Sequence, residues 1–391
     1  MNTPHIKYYP VDNGDMSLIT LKDDTTILVD INIRESAKGD SDPEKYDVKA
    51  DLMKSIKKRG KDPFVDVFIL THGDRDHCLG FAKNFYQGDP KKYSDKNRED
   101  EEIIMDVIWF SPMALEGATN DDEKKFKAEA NRRIKLHNDN SSDKDLPGNK
   151  IIIVGYDGHE KLEALHTVRH VPGDTISRFN DREQDTFSIF IHAPFKEQLQ
   201  SSEKDKNFTS IVFQARFKSQ ASDTKFSTLA MFGGDADHYA WDFILSKTKK
   251  HSNTHSLPFD LFLAPHHCSW SFFNDTPQKD HPTPQKHSLD ILDYKRENAK
   301  VIASSKEIIN NDDNPPHFKA KEQYVKKVTA DKFLNPSTHK KVGKTPQPII
   351  FEVTSGGPMP PKQTEGSAKS TGGAGLGAIN TPTKYGSAKK V

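Results

Sequence analysis

The sequence predicts a mixed α/β fold, and two observations carry this prediction. Short runs rich in β-branched and aromatic residues recur along the chain, and charged segments of helical character separate several of them. The strand-like runs are 6–9, 17–21, 26–30, 64–70, 103–110, 151–154, 187–192, 209–217, 227–232, 259–264 and 348–353. The helical segments are 44–59, 121–137 and 239–246. The 391 residues are enough for one large domain or two ordinary ones.

The composition indicates polar additions to a globular core. Only 34% of the residues are hydrophobic and 29% are charged, which is polar for a globular enzyme. We expect one domain over residues 1–355, with charged insertions at about 82–102 and 112–150. Residues 356–391 are rich in glycine, serine and lysine and poor in large apolar side chains. Such a segment cannot bury enough apolar surface to order itself, so we expect a disordered tail.

Charge and cysteine content place few limits on the partner. Lysine plus arginine equals aspartate plus glutamate at 57 each, which neither requires nor excludes nucleic acid, because a local basic patch would suffice. No apolar stretch approaches the roughly 20 residues that span a membrane, and the N-terminus has no secretory signal pattern. Two cysteines, Cys78 and Cys268, are too few for a disulfide framework. We expect a cytoplasmic protein without membrane contact.

Four side chains that can bind a metal follow the apolar run 64–70 directly. They are His72, Asp74, Asp76 and His77. A loop at the end of a buried strand can direct several side chains into one cleft. Imidazole and carboxylate together suit zinc, manganese or iron, and two carboxylates this close would repel each other without a cation. The alternative is a solvated polar loop.

Two other strand-like runs end in similar residues. Asp235 follows 227–232 after a glycine pair, and the pair His266 and His267 follows 259–264. Three strand ends that each deliver ligands are what a two-metal site needs, and an aspartate between two cations can bridge them.

The order of these motifs resembles the metallo-β-lactamase superfamily. The stretch 71–77, Thr-His-Gly-Asp-Arg-Asp-His, has aspartate in place of the second histidine and is similar to the metallohydrolase domain of the ComEC competence proteins. Further segments that agree with this subgroup are 11–15, 27–30, 172–176, 207–213, 265–269 and 314–317. The resemblance covers roughly residues 5–353, with insertions. It implies an αββα sandwich of two mixed β-sheets flanked by helices.

The resemblance also implies residue roles and two divalent ions, zinc or manganese. The six implied metal ligands are His72, Asp74, Asp76, His77, Asp235 and His267. His72 and Asp74 would bind one ion, Asp76 and His77 the other, and Asp235 would bridge them. His266 remains an alternative to His267 as the final ligand.

The chain departs from the resembled pattern in ways that affect the site. Cys268 stands where glycine is usual. The subgroup lacks the histidine that completes the first metal site in many related enzymes, and Asn207 or Ser210 lies near that place. We expect Asn207, Ser210 and His238 to contact substrate, although Asp237 and His238 could simply begin a helix.

The function expected from the resemblance is metal-dependent phosphodiester hydrolysis, most simply of DNA by a nuclease. A hydroxide between the two ions would be the nucleophile. Asp76 would be catalytic, and His317 would contact the substrate phosphate or protonate the leaving group unless it is a surface histidine. A small-substrate esterase, such as a cyclic-nucleotide or phosphocholine phosphodiesterase, is the competing enzyme hypothesis. A non-catalytic metal-binding interaction module is the alternative outside enzymes. A wide basic cleft would favour nucleic acid, and a closed pocket a small ester.

Overall fold

The computed structural model describes residues 3–40, 42–155, 162, 165–199 and 206–361. The chain divides into two compact units, Met1–Pro360 and Pro361–Val391. All elements described below belong to the first unit. No helix in the described ranges is both long and apolar enough to cross a bilayer.

Two large mixed β-sheets form the centre of the first unit. In chain order the strands are β1 (His5–Tyr8), β2 (Ser17–Thr20), β3 (Thr26–Val29), β4 (Ile31–Asn32), β5 (Lys57–Arg59), β6 (Asp62–Ile69), β7 (Ile104–Phe110), β8 (Lys150–Val154), β9 (Arg169–His170), β10 (Thr175–Ile176), β11 (Arg178–Phe179), β12 (Arg182–Glu183), β13 (Phe187–Ala193), β14 (Val212–Phe217), β15 (Thr228–Phe232), β16 (Phe259–Leu263), β17 (Lys295–Ile302), β18 (Phe333–Leu334), β19 (Lys341–Val342), β20 (Thr345–Pro346), β21 (Ile349–Thr354) and β22 (Gly357–Met359).

The first sheet has the strand order β22-β21-β1-β2-β3-β6-β7-β8-β9, with β5 paired to β6. It is antiparallel from β22 to β3 and parallel from β3 to β9. The second sheet has the order β10-β13-β14-β15-β16-β17-β18. It is antiparallel up to β15 and parallel beyond it. The predicted mixed α/β class is therefore confirmed, and each sheet contains both pairing types.

Helices cover the outer faces of the two sheets. The α-helices are α1 (Val48–Ser55), α2 (Arg75–Cys78), α3 (Phe81–Asn84), α4 (Asp95–Glu99), α5 (Asp121–Asn138), α6 (Lys196–Leu199), α7 (His238–Lys250), α8 (Lys286–Asp293), α9 (Phe318–Val328) and α10 (Pro336–His339). One apolar cluster joins α1 and α5 to the first sheet, and another joins α7, α8 and α9 to the second. A third cluster contains inward-facing residues of both sheets. The layers therefore run helices, sheet, sheet, helices.

Aromatic side chains mark the contact between the sheets. The ring of Tyr8 on β1 lies 6.0 Å from that of Phe232 on β15, centroid to centroid. Phe232 in turn stacks on Phe213 of β14 at 4.9 Å. All three residues are buried. Because this core alternates with the outer clusters along each strand, every central strand is buried on both faces.

The segment 44–59 was predicted as one helix, and this prediction is wrong at both ends. The helix begins later because Asp47 caps it, accepting a hydrogen bond from the backbone N–H of Ala50 at 2.9 Å. It ends at Ser55, because β5 turns back and pairs antiparallel with β6. The short turn at Gly60 and Lys61 between these strands gives the hairpin its register.

Part of the segment 112–150, which was predicted as a charged insertion in the domain, packs on the first sheet. Helix α5 buries Phe126, Ala130 and Ile134, spaced by one helical turn each. The Phe126 ring packs edge-on against Phe68 of β6 at 6.0 Å. Three charged residues, Glu123, Glu129 and Arg133, are buried with them, so the charged composition of the segment did not indicate how much of it is packed.

The predicted boundary at Ser355 is also too early. Gly357–Met359 forms β22 on the edge of the first sheet, paired with β21, and the compact unit extends to Pro360. The expected disorder of the tail concerns residues 362–391, which lie outside the described residues.

A buried histidine in the second sheet predicts sensitivity to acid. The Nε2 of His192 lies 3.2 Å from the carbonyl oxygen of Ser256 and donates to it. Burial, together with the charge of Arg216, lowers the pKa of His192 to about 3 from 6.5. Between about pH 3 and pH 6.5, His192 binds a proton in the unfolded chain but not in the native chain. The free energy of unfolding therefore falls as the pH falls through this range, by roughly 1.4 kcal/mol per pH unit.

Urea unfolding of the wild type and His192→Gln at pH 7 and pH 5 tests this. Glutamine can donate to the same carbonyl but does not titrate. The stability advantage of the wild type should therefore shrink by ~2 kcal/mol at pH 5. The exposed His255→Gln variant is the control and should keep the wild-type slope. An identical pH slope for His192→Gln and the wild type would contradict the assignment.

Candidate metal centre

A single carboxylate anchors the loop that follows β6 by hydrogen bonds. Asp30, buried and directly after β3, accepts hydrogen bonds from the backbone N–H and the hydroxyl of Thr71, both at 2.7 Å. The same carboxylate lies 2.9 Å from the Nδ1 of His77. Because β3 and β6 are parallel neighbours, their carboxyl ends meet at one edge of the sheet, and Asp30 bridges the two ends.

These bonds decide which ring nitrogen each histidine presents. Nδ1 of His77 donates to Asp30, so its Nε2 is turned to the interior of the site. Thr71 gives its only hydroxyl proton to Asp30, so its oxygen accepts from Nδ1 of His72 at 3.1 Å. His72 therefore also presents Nε2. Carboxylate-oriented imidazoles of this kind are typical of metal sites.

The second sheet delivers an aspartate against this loop. Asp235 follows β15 through Gly233 and Gly234. Gly234 has φ +49°, and a Cβ there would lie 2.9 Å from the Thr71 hydroxyl oxygen. Only glycine allows this close approach of the two strand ends. The backbone N–H of Ile211 adds a bond to the Thr71 carbonyl at 2.9 Å.

Three consecutive left-handed residues place the histidine pair. His266, His267 and Cys268, just after β16, have φ values of 49°, 52° and 68°. This conformation is strained for residues other than glycine, and strained residues of this kind are common at functional sites. The position of Cys268 explains why the resembled pattern has glycine there, since glycine adopts positive φ without strain.

Asp235 lies between two pairs of histidines. Its Oδ1 is 3.0 Å from Nε2 of His77 and 3.6 Å from Nε2 of His267. Its Oδ2 is 3.4 Å from Nε2 of His72 and 3.6 Å from Nε2 of His266. The carboxylate thus divides the site into two halves, with two imidazole nitrogens beside each oxygen.

The remaining two predicted ligands lie at the rim. Asp76 Oδ2 is 3.0 Å from Nε2 of His267, and Asp74 Oδ2 is 3.7 Å from Nε2 of His72. Both aspartate side chains are partly exposed, at 37% and 39%. The structure therefore brings all six predicted ligands together, two of them facing solvent.

One ligand candidate was missed. Asp15, Asp235, His77 and His267 form a compact buried group whose ligand atoms all lie within 4.8 Å of one another. Asp15 enters the site because its N–H bonds to the Asp76 carbonyl at 3.3 Å. The turn that makes this possible contains Gly14, where a Cβ would lie 2.7 Å from the same carbonyl. In the sequence, Asp15 ends the segment 11–15, and the Asn-Gly-Asp turn there could have indicated it as a ligand candidate.

The donor set fits a cation. Several of its atoms are buried without a hydrogen-bond partner, and they are Asp15 Oδ1 and Oδ2, His72 Nε2, Asp235 Oδ1 and His267 Nδ1. Orphaned buried polar atoms cost free energy that a bound ion would offset. Imidazoles with carboxylates are the ligands of zinc and related metals. The cluster could therefore hold a metal ion.

In the buried cluster, the carboxylates and the histidines shift one another's pKa values more than burial does. Burial alone would raise the pKa of Asp235, but the surrounding histidines, His77 first, hold it well below its usual range. Burial alone would lower the pKa of His267, but the carboxylates of Asp235, Asp15 and Asp76 outweigh this effect. They raise the pKa of His267 to about 10. The carboxylates thus hold protons on the imidazoles, and these protons are what a metal would displace.

The structure places the predicted His238 and His317 in other surroundings. His238 begins helix α7, which Asp237 caps by accepting from the N–H of Ala240 at 2.9 Å. Its buried ring lies 5.6 Å from that of His287. His317 caps α9, because its Nδ1 accepts from the N–H of Lys319 at 3.1 Å. The contacts described for the His238 ring do not involve the candidate ligands, whereas the backbone N–H of His317 bonds at 3.0 Å to the carbonyl of Cys268, the residue after His267.

The segment before β14 lies beside the loop after β6. Ser210 is close enough to Gly234 that a Cβ there would lie 3.2 Å from the serine Cβ, and the N–H of Ser210 bonds to the carbonyl of Asn207 at 3.2 Å. A residue that was not predicted makes the direct contact. Lys206 Nζ is 3.3 Å from Asp74 Oδ1.

An open cavity of about 510 Å³ adjoins the cluster at Asp76. Three basic side chains line it, those of Arg34, Arg75 and Lys306. The largest cavity described, about 730 Å³, is lined by residues of β13 and α7 and by none of the cluster. Because the smaller cavity reaches the candidate ligands, it is the one relevant to their chemistry.

Comparison with models of known protein families gave no match for this chain, and comparison with curated proteins gave none either.

Zinc binding can test the ligand set directly. Asp15→Ala removes a candidate ligand, and Asp30→Asn replaces one of the two oxygens that accept from Thr71 and His77 with an NH2 donor. We expect Asp30→Asn to weaken zinc affinity by about 10- to 100-fold and Asp15→Ala by at least as much. Calorimetric titration of chelator-stripped protein measures both, with exposed Asp185→Ala as the control. An Asp15→Ala protein that binds zinc as tightly as the wild type would remove Asp15 from the ligand set.

Proposed function

We propose that the protein is a metal-dependent phosphodiesterase with a metallo-β-lactamase-like fold, acting on DNA as a nuclease. The order of the motifs, the four layers and the position of the cluster at the carboxyl ends of β6, β15 and β16 all support this. The observation that carries the proposal is the arrangement around Asp235, where each carboxylate oxygen faces two imidazoles.

This arrangement supports two ions, zinc or manganese, bridged by Asp235. His77, His267, Asp15 and Asp76 would hold one of them. His72, Asp74 and His266 would hold the other. His266 would thus supply the ligand that the resembled subgroup lacks, and both histidines of the pair would bind metal rather than one.

Metal ions in this position would supply Lewis-acid chemistry, polarising a phosphoryl oxygen and making hydroxide available near neutral pH. The protein supplies orientation. Asp30 and Thr71 fix the two imidazoles of the β6 loop, so they need no rearrangement during the reaction. Asp76 lies between the cluster and the cavity, where it would face a bound substrate.

Carboxylates and basic side chains both line the cavity, and the position of its basic side chains decides which substrate it favours. Arg34 is paired with Asp12, and Lys306 with Asp313 at 2.5 Å. Within the described residues, Arg75 has no carboxylate within salt-bridge distance, and it is exposed between Asp74 and Asp76. An uncompensated guanidinium here is placed to bind a backbone phosphate next to the scissile bond. The open cavity suits an extended strand better than a small enclosed ligand.

DNA cleavage by zinc- or manganese-loaded protein tests the proposal. Wild type should nick plasmid and degrade single-stranded DNA, and Asp235→Ala should abolish both and lower the metal content. Arg75→Ala should reduce DNA cleavage about tenfold with little effect on the small diester bis(p-nitrophenyl) phosphate. Lys295→Met removes an exposed charge at the opposite end of β17 and is the control.

Other outcomes would redirect the assignment. Bound metal without DNA cleavage, but with turnover of small diesters, would indicate a small-substrate phosphodiesterase. Protein that binds neither zinc nor manganese would leave a binding module as the better hypothesis.

A further inference from the structure

A lysine ammonium lies at the edge of the candidate centre, between two carboxylates. Lys206 Nζ is 2.6 Å from Oε1 of Glu123 and 3.3 Å from Oδ1 of Asp74. Glu123 belongs to helix α5 and Asp74 to the loop after β6. The ammonium therefore connects the outer helical layer to a predicted metal ligand.

Glu123 is a fixed anchor for this lysine. Its side chain is fully buried, and its second oxygen accepts from the backbone N–H of Thr119 at 2.6 Å and from the Thr119 hydroxyl at 3.2 Å. Its Oε1 also lies over Gly73, where a Cβ would come within 2.5 Å. The glycine in the metal-binding loop thus makes room for the carboxylate that holds Lys206.

The position of Asp74 shows where the ammonium points. One oxygen of this carboxylate faces Lys206 and the other faces Nε2 of His72, at 3.7 Å. The Asp74 side chain is 39% exposed and that of Lys206 is 18% exposed. Lys206 is therefore accessible at the rim of the His72 half of the centre, where a substrate oxygen would approach.

An ammonium has three N–H donors, and within the described residues that of Lys206 donates to Glu123 and forms an ion pair with Asp74. The buried carboxylate of Glu123 needs a cation to neutralise its charge. A lysine directed away from the candidate centre could neutralise Glu123 equally well. The placement of Lys206 next to Asp74 instead puts an ammonium beside the place where a phosphodiester bound at the His72 half would carry its negative charge. Preorganised cations at such positions are a main source of transition-state stabilisation.

We propose that Lys206, anchored by Glu123, binds a non-bridging phosphoryl oxygen of the substrate at the Asp74 side of the centre. This deepens the proposed function and rests on it for the identity of the reaction. It makes Lys206 a specificity residue that separates anionic phosphodiesters from uncharged esters.

The test compares zinc-loaded wild type, Lys206→Met, Lys206→Arg and Glu123→Gln, with Lys295→Met as the control that removes a distant exposed lysine. The substrates are bis(p-nitrophenyl) phosphate, which is anionic, and p-nitrophenyl acetate, which is uncharged. Binding of inorganic phosphate is measured by calorimetry, independently of turnover. Zinc content is measured for every variant to verify that the ligands are intact.

Lys206→Met should lower kcat/KM for the phosphodiester and weaken phosphate binding, each on the order of ten- to a hundredfold. Its rate on the acetate and its zinc content should stay at the wild-type level. Lys206→Arg should retain part of the phosphate affinity, and Glu123→Gln should lose part of it, because the ammonium is then less firmly held.

Equal losses on both substrates would show a structural role for Lys206 and overturn the inference, as would unchanged phosphate binding in Lys206→Met. The proposed function can fail separately. Wild type that hydrolyses only the acetate would refute the phosphodiesterase assignment, and phosphate binding would still decide the role of Lys206.

Discussion

The candidate centre depends on the carboxylate of Asp30. This one buried group joins the ends of β3 and β6, accepts two bonds from Thr71 and sets the orientation of His77. Through Thr71 it also determines which nitrogen His72 presents. Two imidazoles and the strand ends that carry them are thus tied to a single acceptor. A buried carboxylate with three donors is fully satisfied, which is the condition under which a buried charge adds rigidity rather than cost.

Much of the fold, and most of the side chains that lie together at the candidate centre, could be predicted from the sequence because the strands that carry them have clear local patterns. The apolar runs 64–70, 227–232 and 259–264 became buried strands, and the polar residues immediately after them converged. The ends of β15 and β16 meet because these strands are parallel neighbours, whereas their approach to the loop after β6 comes from the packing of the two sheets on each other. The helix predicted over 44–59 ends early because residues 57–59 pair with β6 across a short hairpin turn, a pairing that helix propensity alone does not indicate.

Contacts of high sequence separation account for what was not predicted. Asp15 joins the cluster through a turn packed on the Asp76 backbone, and Lys206 joins it through a carboxylate on α5. Neither residue lies in a metal-ligand motif of its own. For His317 the sequence left a substrate contact and a surface position open, and it did not show that the Nδ1 of this residue caps the following helix. The position of Asp235 between two histidine pairs could not be predicted either. Sequence spacing does not show which oxygen of a carboxylate a given side chain lies beside.

The centre is built from both sheets, and this has a consequence for how the chain reaches its native state. His77 and His267, whose Nε2 atoms lie 3.3 Å apart, are separated by 190 positions in the chain. During synthesis the first ligand loop emerges long before its partners, so the complete coordination set cannot exist until the second sheet has docked on the first. Tight metal binding would then act as a late step that stabilises the docked sheets and disfavours their separation.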